Sequence, residues 1–151
     1  MFVRLQAARF DAGAEIDTFL MGREDTGALA SFTGTVRSSA AEPVESLTLE
    51  FYPELAEVQV GRIAAEAVQR FGLADLGIIH RHGTLLRGEP IVLVMALAPH
   101  RQEALEAVSF VMDYLKTDAP FWKKELGPKG EKWVAARPAD IEARRNWEKK
   151  K

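Results

Sequence analysis

The sequence contains no cysteine, which removes disulfides, thiolate metal sites and a cysteine nucleophile together. It has no excess of positive charge: 20 Lys and Arg stand against 22 Asp and Glu, giving a formal net charge of −2 and a pI near 6.0. General nucleic-acid binding calls for a basic domain, so that class is set aside. No apolar run approaches the ~18 residues of a membrane span, and the longest, Ile91 to Pro99, has the length of a strand. Arg4 and Arg9 interrupt the N-terminal stretch MFVRLQAARF, which therefore lacks a signal-peptide core. A P-loop, GxGxxG and GxSxG are all absent, against the common nucleotide folds and the hydrolase elbow. These absences fit a cytoplasmic protein and require any anion site to be a local gathering of Lys and Arg.

What is present is the ordinary mix of a soluble globular chain, with 47% hydrophobic and 28% charged residues. The 151 residues suit one domain with one core, spanning 1–151 with a terminal helix and tail from about 138. Period-2 apolar patterns predict strands over Phe2–Arg9, Gly27–Arg37, Ser46–Tyr52, Leu76–Gly83 and Pro90–Ala98. Ala28, Ala30, Phe32, Gly34 and Val36 are expected to face inward. The run IVLVMALA is apolar at consecutive positions, which predicts a strand covered on both faces. Asp11 can cap a short helix carrying Ile16, Phe19 and Leu20. Pro53 suits the first position of a long helix striped by Ala56, Val60, Ile63, Ala67 and Phe71, and Gly72 its end. A second long helix opens at Pro99-His100 and carries Ala104, Val108, Val111 and Leu115. Pro120 stops it. FWKKEL and EKWVAA flank Gly127-Pro128-Lys129-Gly130 as a hairpin, and Pro138 to Lys149 reads as a polar helix. The sum is an α+β domain, its strands mixed or mainly antiparallel, with two main helices on the sheet.

Lys116 follows the last core residue of the second long helix. A helix-end lysine commonly complements the helix dipole, but an amine with neighbouring cations and partial burial becomes a base or nucleophile. Lys123 and Lys124 follow Pro120. Successive strand residues face opposite ways, so only one of them can share a pocket with Lys116. Lys123 is the better choice, with Trp122 and Lys124 on the other face. His100-Arg101 lies where a strand meets a helix N-terminus, an arrangement suited to phosphate. Arg37 ends a strand in which Gly34 permits close backbone approach, and Arg137 precedes Pro138. His80 and His82 share a strand face as a metal pair would, yet no cysteine or nearby acid completes a site.

In order along the chain, FTGTVR, LTLEFYPELA, HRHGTLLRGE, HRQEALEA, MDYLKTDAPFWKKE and W-V-x-x-R closely resemble the large, catalytic subunit of molybdopterin synthase. The resemblance runs over nearly the whole chain, and the MDYLKTDAPFWKKE block with an upstream His-Arg is its most specific part. It implies an α/β hammerhead-type fold with an additional small antiparallel sheet, and no metal or cofactor. The implied activity is a sulfurtransferase step of molybdenum cofactor biosynthesis: cyclic pyranopterin monophosphate becomes molybdopterin by insertion of two sulfurs. The sulfur would arrive as a thiocarboxylate on the C-terminus of a small ubiquitin-like subunit. Large subunits of the family dimerise, which implies a homodimer within a heterotetramer. Residue by residue, Lys116 matches the family's central active-site lysine, which implies an acid/base role at the reaction centre where substrate and tail end meet. Lys123 matches the second, stabilising charge as the cyclic phosphate opens. Arg37, His100, Arg101 and Arg137 match the anion-binding set, with His100 and Arg101 the candidates to be lent across the dimer interface. Phe121 and Trp122 are expected to pack and orient the lysines. The alternative is a non-catalytic adaptor that docks a ubiquitin-like tail.

Overall fold

Pro53, Pro90, Pro120 and Pro138 punctuate the chain, and each stands at or just before the start of an element in the computed structural model, which describes residues 1–150. In chain order the elements are β1 (Phe2–Gln6), α1 (Ala12–Leu20), β2 (Ala28–Thr35), β3 (Ser46–Phe51), α2 (Pro53–Phe71) and β4 (Asp75–Arg81). They continue as β5 (Gly83–Leu86), β6 (Pro90–Ala98), α3 (Arg101–Thr117), β7 (Phe121–Gly127), β8 (Gly130–Val134) and α4 (Pro138–Lys149).

The strands form two four-stranded sheets. The first has the order β1-β4-β6-β2, with β1 parallel to β4 and the other pairs antiparallel. The second, β5-β3-β7-β8, is antiparallel throughout. This α+β architecture carries the additional antiparallel sheet that the family resemblance implies. Alternation along β6 explains why its sequence is apolar at every position. Val92, Val94 and Ala96 face the α2–α3 side with Val60, Ile63, Ala107 and Phe110. Leu93 and Met95 face the other side, where Phe10 and the α1 residues Ile16 and Phe19 cover them. Asp11 caps α1 by accepting from the Ala14 N–H at 3.0 Å, and Gly72 ends α2 in the left-handed region.

Four expectations are revised. β1 ends at Gln6 rather than Arg9. Between the strands expected at Leu76–Gly83 and Pro90–Ala98, where LLRGE suggests only a turn, lies a further strand: Gly83, at φ 86°, redirects the chain so that β5 leaves the first sheet and pairs with β3 in the second. Phe32 is 42% exposed, because β2 is an edge strand and only part of one face is covered. The polar helix α4 hides one apolar anchor. Trp147 is buried against Phe71 and Phe110, and its Nε1–H donates to Asp113 at 2.7 Å.

Candidate active site

Pro120 ends α3 and turns the chain into β7, so the last turn of the helix and the first residues of the strand face each other. The turn is tied down: Thr117 donates to the Asp113 carbonyl at 3.0 Å and to Asp118 at 2.9 Å. From α4, Arg144 grips both Asp118 oxygens at 3.0–3.3 Å. The Lys116 side chain leaves the helix here. In β7 the inner face carries Lys123, opposite buried Leu49 of β3 and Val134 of β8. Trp122 and Lys124 face the other way, Trp122 against Tyr52 and Lys124 near Glu131 and Trp133. The alternation argument that chose Lys123 over Lys124 therefore holds.

Lys116, Lys123 and Arg137 line a cavity of about 610 Å³ with Arg37 at its wall. An inner recess of about 140 Å³ adds Phe121 and Asp140. The cavity shares Glu42, Val44, Glu125 and Lys132 with a neighbouring groove of about 400 Å³ along the Gly127–Gly130 turn. Burial, followed by the positive charge of Lys116, lowers the Lys123 pKa to about 8. An amine tuned this way can hold or release a proton near neutral pH.

Arg37 and Arg137 reach the wall already paired. Arg37 contacts Glu42 at 3.3 Å, a largely exposed pair of small energetic value. The register slips between Gly34 and Thr35, where Ile91 of β6 is the extra residue, and Thr35, Val36 and Arg37 beyond the slip line the cavity. A Cβ on Gly34 would sit 2.9 Å from Val92, so glycine here serves close strand packing. His100 and Arg101 are elsewhere. They line a separate surface hollow at the start of α3, and Lys116 lies fifteen residues on, roughly 22 Å along the axis at about 1.5 Å per residue. One protomer therefore does not bring the six predicted residues together.

Beneath the lysines, Phe121 stacks on His80 with ring centroids 4.0 Å apart and planes at 7°. His80 is buried, and its Nδ1 lies 2.8 Å from the Arg81 carbonyl, which can only accept, so Nδ1 carries the proton. Burial leads, with Lys123, His82 and Lys116 adding, in lowering its pKa to about 4. The neutral imidazole backs Phe121, the ring that lines the inner recess. His82 instead packs on Phe51 at 4.7 Å, and among the described residues no group of three or more His, Cys, Asp or Glu could hold a metal ion. Phe121 packs as expected, whereas Trp122 turns outward. The sequence reading missed Asp140; its signal was the carboxylate three residues after Arg137, at the third position of a helix opened by proline.

Fold and pocket together define an α+β protein with a cationic, partly dry cavity suited to an anionic ligand. The chain belongs to the MoaE protein family, whose model matches residues 5–118. It is 50% identical over 147 residues to the molybdopterin synthase catalytic subunit of Mesorhizobium japonicum, with 96% of this chain and 92% of that one covered. Among solved structures, the molybdopterin biosynthesis MoaE protein from Burkholderia ambifaria superposes with a TM-score of 0.81 at 45% identity, covering 97% of each chain. Molybdopterin synthase from Staphylococcus aureus gives 0.79 at 28% identity, covering 87% of this chain and 96% of that one.

Proposed function

We propose that residues 1–151 form the catalytic subunit of a molybdopterin synthase, converting cyclic pyranopterin monophosphate to molybdopterin with sulfur from the thiocarboxylated tail of a small ubiquitin-like subunit. The observation that carries the reading is the convergence of Lys116 and Lys123 in one cavity walled by Arg37 and Arg137. Both reactants are anions, a cyclic phosphate and a thiocarboxylate. Fixed cations in a partly dry site stabilise negative charge as it moves between them. The groove beside the Gly127–Gly130 turn gives an extended tail a lane to the lysines. Burial of Lys123 favours it for proton transfer and leaves Lys116 to hold the reacting anion, the reverse of the division implied by resemblance alone. No described helix is long and apolar enough to cross a membrane; a cytoplasmic setting belongs to this proposal.

A homodimer would complete the site. β2 is a free edge, with His100 beside its first residues, since Ala28 pairs with Ala98, and the cavity at its last. Eight residues of strand span roughly 26 Å, close to the separation of Arg101 from Lys116. Antiparallel pairing of two β2 edges about a two-fold axis would carry the partner copy's His100 and Arg101 to this cavity.

The test mixes the chain with a thiocarboxylated small subunit and the cyclic pterin, and assays molybdopterin. Lys116→Ala should preserve docking and slow product formation about a hundredfold, the effect of losing ~3 kcal/mol of transition-state stabilisation. Wild-type rates in both Lys116→Ala and Lys123→Ala would move the chemistry away from these lysines, and no product from the wild-type mixture with docking intact would leave only a docking adaptor.

A further inference from the structure

Asp140 is the acidic side chain in the inner recess, beside Lys116, Lys123 and Arg137. Its Oδ2 accepts from Arg137 Nε at 3.2 Å and from the Arg137 backbone N–H at 3.4 Å, while Oδ1 accepts from Nη2 at 3.2 Å. The two side-chain bonds fix the plane of the guanidinium as well as its position. Exposure divides the roles: the Asp140 side chain is 18% exposed and that of Arg137 73%. The carboxylate is the sheltered anchor, and the guanidinium is the group presented at the cavity wall. A helix cap alone would need the backbone bond, but not the grip on the guanidinium or a place among the lysines.

We propose that Asp140 is a positioning residue for this pocket: it sets the orientation in which Arg137 meets an incoming anion, and supplies the counter-charge that lets Lys116 and Lys123 share one recess. The identity of that anion rests on the synthase reading; the geometry does not. Electrostatics agree with the assignment. Burial and Lys116 depress the Lys123 pKa, and Asp140 acts in the opposite direction. Hydrogen bonds from Arg137 hold the Asp140 pKa below its usual value against burial, and Lys116 contributes. The other ionisable groups around Lys123 are Lys116 on α3, His80 on β4, Glu125 on β7, Lys132 on β8 and the Arg37–Glu42 pair beyond β2. Of the acids, Asp140 alone lines the recess.

The experiment is an NMR titration of the lysine side-chain signals in the full chain, without substrate or small subunit. In Asp140→Asn the Lys123 midpoint should fall by on the order of half a pH unit, the size of one charge acting across several ångströms of largely watery medium. The Arg137 Nε–H signal should exchange faster with solvent, and Asp140→Glu should return the midpoint towards wild type. If the asparagine variant fails to fold, Asp140→Glu and Asp140→Gln give the same comparison at matched size. Equal Lys123 midpoints in charged and amide versions, with only a lower melting temperature in the amide, would make Asp140 a helix cap and overturn the proposal. A failed product assay would count against the synthase reading and leave this titration fully readable.

Discussion

At Lys123, burial and charge compete over one proton. The folded pKa is near 8 against 10.5 for a free lysine, so the unfolded chain binds the proton more tightly. The folded state therefore carries the full cost of that charge below pH 8, and stability rises as pH passes from about 8 to 10.5. Lys123→Met removes the cost. It should raise stability at pH 7 by about 1–3 kcal/mol in denaturant titration while abolishing product. A variant neither more stable nor inactive would remove Lys123 from the chemistry. In the active protein, turnover should rise through pH 8 as the amine becomes available as a base. His80 has the same sign in a lower window. Its pKa of about 4 lies below the usual 6.5, so the stability of the neutral imidazole is present above pH 6.5 and is lost as pH falls towards 4. His80→Phe keeps a ring on Phe121 and should flatten that acid limb in melts between pH 4 and 7. An unchanged limb would place the acid sensitivity elsewhere.

At the scale of elements, the legible parts were those specified locally. The α2 stripe Ala56, Val60, Ile63 and Ala67 is buried as its 3.6-residue period requires, and β6 is covered on both faces. Strand alternation was enough to separate Lys123 from Lys124. The missed parts depend on distant partners. β5 is a strand only because β3 lies alongside it, and Phe32 is exposed because among the described residues no strand pairs beyond β2. Trp147 is a single anchor on an otherwise polar helix, so it leaves no periodic signature. In sequence Asp140 is one carboxylate in the first turn of a polar helix, and only the fold places it in a recess with Lys116. α4 fastens the end of α3 through Trp147–Asp113 and Arg144–Asp118. Trp147→Ala should therefore cost about 3–5 kcal/mol, measured by urea denaturation. It should also reduce turnover at temperatures where the chain is still folded, because Lys116 sits on the turn that α4 holds. Full activity at such a temperature would show that the turn is set without α4.

At the scale of the whole molecule, the six residues suggested by the sequence divide into four at one cavity and two roughly 22 Å away along α3. That separation makes the dimer testable by complementation. Arg101→Ala and Lys123→Ala should each be inactive alone. Mixed and allowed to exchange, they should restore about a quarter of the sites, since half of the random dimers are mixed and each holds one intact pocket. No recovery after verified exchange would mean that Arg101 acts within its own chain, or not in the pocket at all.

The placement of the three tryptophans has an optical consequence. Trp147 is 7% exposed in the core, while Trp122 and Trp133, at 47% and 60%, stand on the second sheet near the cavity. The indole of Trp147 should emit at shorter wavelength than the two solvated ones. Fluorescence from one unlabelled sample thus carries separate channels, a blue component for seating of the terminal helix and a red, quencher-accessible one in which Trp133, at the cavity wall, reports occupancy. Trp122→Phe with Trp133→Phe isolates the first, so unfolding and ligand arrival can be followed apart.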